Sequence, residues 1–258
     1  MTGVLTPLEI ADRIIELVRA TTPGDAGVDT ADRNDRLLVA AYGRAYRCFV
    51  SIRELAGRGE ADDAAILTRA LLSIGLRSLY LVGSDDPAER DRRFRRAGRT
   101  FFEEFKKVAK EEAAAGGVLG EAEVKRTEET IARFEADGMP PLPSDYDIAN
   151  GLDLLPFYTR VYRPGSEVMH YSIGSALDGF LELTHEDLVG PVALEKPEPK
   201  EADDVLIRAS LTYGVFLEKS EPIIKHGLTP EVTKLLADYF SAHPPAIRST
   251  DAEVSGAG

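Results

Sequence analysis

DDAAILTRALLSIGLRSLY, residues 62–80, decides the fold. Its apolar residues Ala65, Ile66, Leu67, Leu71, Leu72, Leu76, Leu79 and Tyr80 recur mostly three or four apart and cover more than half of a helical circumference. A helix so apolar must be surrounded by other elements, so residues from about Asp62 to Tyr80 are predicted to run through the centre of the core. Upstream, Leu37, Leu38, Ala41, Tyr42, Ala45, Cys48, Phe49, Ile52 and Leu55 keep the same period until Gly57 and Gly59 stop it. Downstream, Asp86-Pro87-Ala88-Glu89 has a cap, a proline and an acid three residues on, which opens a helix toward Ala115 with Phe94, Ala97, Phe101, Phe105 and Val108 on one stripe.

Further out the same grammar repeats. Thr6-Pro7-Leu8-Glu9 starts a helix that reaches about Ala20. Residues Glu121 to Ala136 form a more polar helix, and Pro140, Pro141 and Pro143 make a rigid connection. A short helix over Leu154 to Tyr162 should end at Arg163-Pro164-Gly165, after which Ser166 caps a helix running to about Leu183. A proline and charge linker leads to two closing helices, Ala202 to Lys225 and Pro230 to Ser241. No stretch alternates with period two. The fold expected is all-α, an antiparallel helical bundle of about eight or nine helices with no sheet. The organisation expected is an N-terminal helix and loop over 1–30, a main bundle over 31–186, a linker and two C-terminal helices over 187–243 packing on that bundle, and a flexible tail over 244–258. The core is expected from the second, third, fourth and Ser166 helices.

Composition sets the class. The 258 residues carry 31 Lys+Arg against 44 Asp+Glu, a net charge of −13, with 43% hydrophobic residues. Such a chain buries a sizeable core without staples, and its acidity argues against non-specific nucleic-acid binding over the whole surface. A single cysteine, Cys48, permits no internal disulfide, and it lies among apolar residues where a packed thiol is expected. The opening MTGVLTPLEIADR is not a leader peptide, and no apolar run approaches the ~18 residues of a membrane span. A cytoplasmic location with no membrane is therefore expected. His185, His226 and His243 are scattered, no metal-ligand or nucleotide-loop spacing is present, and neither a metal nor a cofactor is expected.

Two constellations carry chemistry. Residues Arg90 to Lys110 hold nine basic side chains against three acidic ones, and Arg92, Arg96 and Arg99 lie one turn apart opposite the phenylalanines. That face can neutralise RNA phosphates or an acidic partner, or it can be a solvated surface paired with neighbouring acids, including those from Glu121 to Asp137. The second is Tyr158-Thr-Arg160-Val-Tyr162-Arg163-Pro-Gly-Ser166-Glu-Val-Met-His170. An imidazole exchanges a proton near neutral pH and an arginine stabilises a phosphoryl oxygen, so Arg163 and His170 are candidate catalytic residues for metal-independent RNA cleavage. The structural alternative is that His170 hydrogen-bonds at a helix–helix contact.

The Arg163–His170 spacing resembles the Arg-x4–6-His motif of the HEPN superfamily of helical nucleases. The run Arg44-Ala-Tyr-Arg-Cys-Phe-Val-Ser-Ile-Arg-Glu-Leu, then Ala64-Ala-Ile-Leu-Thr-Arg69-Ala-Leu-Leu-Ser73, Ser78-Leu-Tyr-Leu and Ser166-Glu-Val-Met-His170 resembles the family called domain of unknown function 5677, over about Arg36 to Leu183. That family's pattern has an arginine followed four residues later by a glutamate, and a serine four residues before a histidine. Arg69, Ser166 and His170 match it, and Ser73 stands at the glutamate position. These likenesses imply a HEPN-like ribonuclease or nucleic-acid-handling protein of bacterial defence or stress response. In that reading Arg163 stabilises phosphate charge and His170 is the general acid or base, while Arg69, Ser166, Tyr158 and the Arg92, Arg96 and Arg99 face bind substrate. The alternative is a non-catalytic helical module holding a small anionic ligand or a protein partner in a polar core around Arg69, Tyr80, Tyr158 and His170. A homodimer is also expected, because HEPN-like sites are commonly completed across two subunits.

Overall fold

The structure is a computed structural model, and it describes residues 5–21, 33–116, 120–169 and 199–244, without the side chains of 33–35, 163–169 and 199–200. Among the described residues every regular element is a helix: α1 (Pro7–Ala20), α2 (Arg33–Gly57), α3 (Ala61–Val82), α4 (Pro87–Ala114), α5 (Glu121–Ala136), α6 (Asp145–Gly151), α7 (Leu155–Met169), α8 (Pro199–Ile224) and α9 (Thr229–Ala242). The all-α expectation holds.

Local chemistry sets the helix starts. Thr6 accepts a hydrogen bond from the Glu9 amide while the Glu9 carboxylate accepts one from the Thr6 amide at 2.8 Å, so α1 opens on a complete capping box. Asp86 caps α4 through the Ala88 amide, and Ser144 caps α6 through the Asp147 amide. Gly59, at φ +80°, turns the chain between α2 and α3 in a left-handed conformation that other residues adopt at a cost.

α3 joins two apolar clusters. Leu71, Leu79 and Val82 enter the larger one with Ile10 and Ile14 of α1, Leu38, Phe49 and Ile52 of α2, Leu206, Tyr213, Phe216 and Leu217 of α8, and Val232 of α9. Leu72 and Leu76 point the other way, to Ile148 and Ala149 of α6 and Tyr158 and Val161 of α7. α3 is also long and apolar enough to cross a membrane by length and composition, with mean hydropathy 1.5 and 44% of that window buried. The expectation that no segment reaches that size is thus corrected, and the helix concerned is the one α2, α7 and α8 flank.

Two further expectations change. α4 is not a core helix: Ala109 is its one buried residue, it lies on α5 and more lightly on α3, and α8 takes the core place assigned to it. The predicted break at Arg163-Pro164-Gly165 is absent, because α7 continues through all three to Met169. Ser166 lies inside that helix and does not begin a new one. The prediction that the Ser166 helix extends to Leu183 falls outside the described residues.

Candidate functional site

α3 presents Arg69, Ser73 and Arg77 at intervals of four, a polar line along one face of an otherwise apolar helix. α6 and α7 meet that line. The Arg69 guanidinium donates to the Tyr162 phenol oxygen and stands 4.2 Å from the centre of the Tyr162 ring. Tyr162 stacks on Tyr158 with centroids 4.5 Å apart, and Tyr146 meets Tyr158 edge-on at 6.1 Å. A cation held over a ring and hydrogen-bonded at the same time loses most of its rotameric freedom, so the fork of Arg69 is oriented in advance of any ligand.

Next along the line is a carboxylate. Asp145, at the first turn of α6, accepts 2.6 Å from the Ser73 hydroxyl on one oxygen and 2.7 Å from the Arg77 Nε on the other. Its side chain is 10% exposed, against 55% for Arg77. Ser73 therefore does not leave the α3 line without an acid: its hydroxyl contacts one supplied from 72 residues away in sequence. Burial pushes the Tyr158 phenol up to about 12, helped by the neighbouring Tyr162 and the Asp145 charge and opposed by Arg69. Tyr158 stays a neutral hydroxyl at physiological pH, a hydrogen-bond group and not a base.

Beside this line a small cleft opens between α3, α7 and α8. Ala65, Thr68, Val161, Val205 and Arg208 line it, and its volume including the solvent-open mouth is about 180 Å³. Arg69 does not itself line the cleft, but it follows Thr68 on α3 and contacts Tyr162, the residue after Val161 on α7. Arg208 adds a second cation, one-third exposed and 3.8 Å from Asp204.

The basic helix has a different use. Arg99, 15% exposed, pairs with Glu103 at 2.8 Å and Glu135 at 3.2 Å and donates to the Met139 carbonyl. Arg96 donates 3.0 Å to the Tyr80 hydroxyl and 3.1 Å to the Pro141 carbonyl. Arg92 pairs with Glu89, Arg95 with Asp137, and Lys110 with Glu128. Most of these cations tie α4 to its own first turn, to α5 and to the proline connection, which is the paired reading of the run. Tyr80 belongs to this network and lies 11 residues beyond Arg69 on α3, so Arg96 and Arg99 do not join the Arg69–Tyr162 group.

Arg163 and Ser166 lie in the last turns of α7, after Tyr158 and Tyr162, with their side chains outside the described residues; His170 lies outside them altogether. The helix start expected at Ser166, with its positive end beside Arg163, does not form, so no anion site arises there from a helix terminus. Among the described residues no group of three His, Cys, Asp or Glu is placed to hold a metal ion. Cys48 donates to the Leu67 carbonyl at 3.4 Å, and burial pushes its thiol up, as in an unreactive packed cysteine. Sequence reasoning gave no site role to Tyr162, Ser73, Arg77 or Asp145. The first three carried a usable signal, regular helical spacing, whereas nothing near Asp145 announces its partner.

A model of a family of unknown function, DUF5677, matches residues 35–187, well over half of the chain. The chain belongs to the DUF5677 family. The matched stretch holds Arg69, Ser73, Asp145, Tyr158 and Tyr162, while Val205 and Arg208, which wall the cleft, come from outside it. No curated protein and no solved structure matches this DUF5677 chain, and the HEPN likeness has no match behind it.

Proposed function

We propose that this DUF5677 protein is a helical binding module that holds a small anionic ligand between Arg69 and Thr68 of α3 and Arg208 of α8. The observation that supports it most is the fixing of the Arg69 fork by Tyr162 beside that cleft. A pre-oriented guanidinium loses little entropy when it pairs with a carboxylate or phosphate. Thr68 already donates to the Ala64 carbonyl, which leaves its oxygen as an acceptor for a ligand hydroxyl. The test is thermal unfolding with inorganic phosphate, a nucleoside monophosphate and citrate. At a concentration near 100 times the dissociation constant, a bound anion adds about 2.7 kcal/mol of stability. The shift is expected to vanish in Arg69→Ala, and an equal shift in that variant, or none in wild type, overturns the reading.

The nuclease reading stands second, and it is the unbroken course of α7 that favours it. Tyr162, in contact with Arg69, and Arg163 and Ser166, of the Arg-x6-His run, share one helix. In this reading Arg163 neutralises phosphate charge and His170 moves the proton. Labelled RNA cleaved in chelator by wild type and not by His170→Ala supports it, and equal cleavage by both, or none, removes it.

A further inference from the structure

Two of the exposed large apolar side chains among the described residues lie on α4. Phe101 is 64% exposed and Val108 52%, and half-buried Phe105 stacks 6.2 Å from Phe101. Ala97 and Phe94, both partly buried, continue the stripe at helical spacing. This face turns away from α5, because Gly98 and Phe102 meet Phe134 and because Arg95 and Arg99 reach Asp137 and Glu135. Scattered exposed apolar residues are ordinary, but an exposed ring stacked on a second ring and flanked by an exposed valine along one helix face is not.

The stripe reads the same from either end. Taking Phe101 as its centre, Ala97 and Phe105 lie four residues away, Phe94 and Val108 seven, and Arg90 and Glu112 eleven. All of these fall on the one face of a 3.6-residue helix. Neither Arg90, whose Nε is buried without a hydrogen-bond partner, nor Glu112 forms an ion pair among the described residues, although Arg92, Arg93, Arg95, Arg99, Lys107 and Lys110 of this helix do.

We propose that two copies of the chain pair through α4, antiparallel, about a twofold axis at Phe101. Phe101 then meets its own copy, small Ala97 faces large Phe105, Phe94 faces Val108, and Arg90 faces Glu112 at both ends. Such an interface is isologous and closes on itself. The opposite charges sit at its two ends, so parallel pairing would set Arg90 on Arg90 and Glu112 on Glu112, and the antiparallel arrangement alone satisfies them. The surface is separate from the Arg69 cleft and stands whether or not that cleft binds an anion.

Light scattering on the full chain across a concentration series is expected to give twice the 28.1 kDa chain mass. Phe101→Glu is expected to halve that mass while leaving the helical circular dichroism unchanged, since the ring is mostly exposed in one chain. Arg90→Glu replaces two ion pairs by two like-charge contacts and is expected to raise the dissociation constant about tenfold, with Arg90→Glu/Glu112→Arg restoring it. In a Cys48→Ser background, Phe101→Cys is expected to cross-link copy to copy under mild oxidation, and Val108→Cys is not. A single-chain mass at every concentration, a dimer that survives Phe101→Glu, or cross-linking at position 108 and not at 101 overturns the proposal.

Discussion

Asp145 shows what one residue does for the site. Each of its two oxygens accepts one hydrogen bond, from the Ser73 hydroxyl and from the Arg77 Nε, and its side chain is nearly covered. Removing it leaves the Ser73 hydroxyl in a half-buried position without that acceptor, so Asp145→Ala is expected to lower stability by about 1–3 kcal/mol. Asp145→Asn retains the shape and one carbonyl oxygen, which Arg77 can keep, while Ser73 accepts from the new amide; it is expected to cost less than about 1.5 kcal/mol. Urea unfolding with linear extrapolation distinguishes the two, and an Ala variant as stable as wild type would show that the carboxylate holds nothing. Arg69 and Ser73 were legible as residues four apart on an apolar helix, but Arg77 and the acid that serves Ser73 and Arg77 were not. The acid arrives from another helix 68 and 72 residues along the chain, and no local pattern encodes a contact of that separation.

Elements were legible where the chain writes its own punctuation. The capping box at Thr6 and the Asp86-Pro87 start both stand where the side chains place them, because each satisfies amides within its own first turn. α6 was missed because seven residues carry no period, although Ser144 with Asp147 three residues on is the same kind of start signal. α7 runs through Pro164 because Tyr158, Val161 and Tyr162 already pin its preceding turns on α3 and α6. Such packing offsets the one ladder hydrogen bond that proline removes. The central place of α3 followed from its composition; what composition did not contain was how closely α8 approaches it. At Gly75 an added Cβ would lie 3.5 Å from the Phe216 ring, an ordinary contact and not a clash. Gly75→Ala is therefore expected to raise stability by about 0.5–1 kcal/mol, the conformational cost of a mid-helix glycine. Gly75→Leu is expected to lower it by about 1–3 kcal/mol through overpacking. Thermal unfolding of both checks the spacing of the two helices, and a destabilised Ala variant would mean that α8 packs closer than this.

For the molecule as a whole, net charge and local charge act in opposite directions. The chain carries −13, and self-repulsion among its acids should make it more stable as they protonate. Local contacts argue the reverse. Hydrogen bonds from Thr6 hold the Glu9 carboxyl below its ordinary value of 4.5, Arg93 and Arg92 do the same for Glu89, and Lys110 for Glu128. At the α8–α9 corner burial pulls Glu221 up, but the Gly227 amide, the Thr229 hydroxyl and the His226 imidazole outweigh it and leave that carboxyl lowered too. A carboxyl whose folded-state value is depressed contributes stability that is complete above its unfolded value and is lost as pH falls through the folded one. All four act in the same direction, so unfolding free energy is expected to be flat above about pH 5 and to fall below pH 4.5, the unfolded glutamate value. Urea titrations at stepped pH measure the curve, and Glu221→Gln is expected to lower its plateau and reduce its acid slope, because one proton-linked group is gone. Stability that instead rises steadily from pH 6 to pH 3 would mean that the global repulsion of the acids outweighs these particular hydrogen bonds. The arginines of α4 would then relieve charge over the surface, and pairing with Glu89, Glu103, Glu135 and Asp137 would add little.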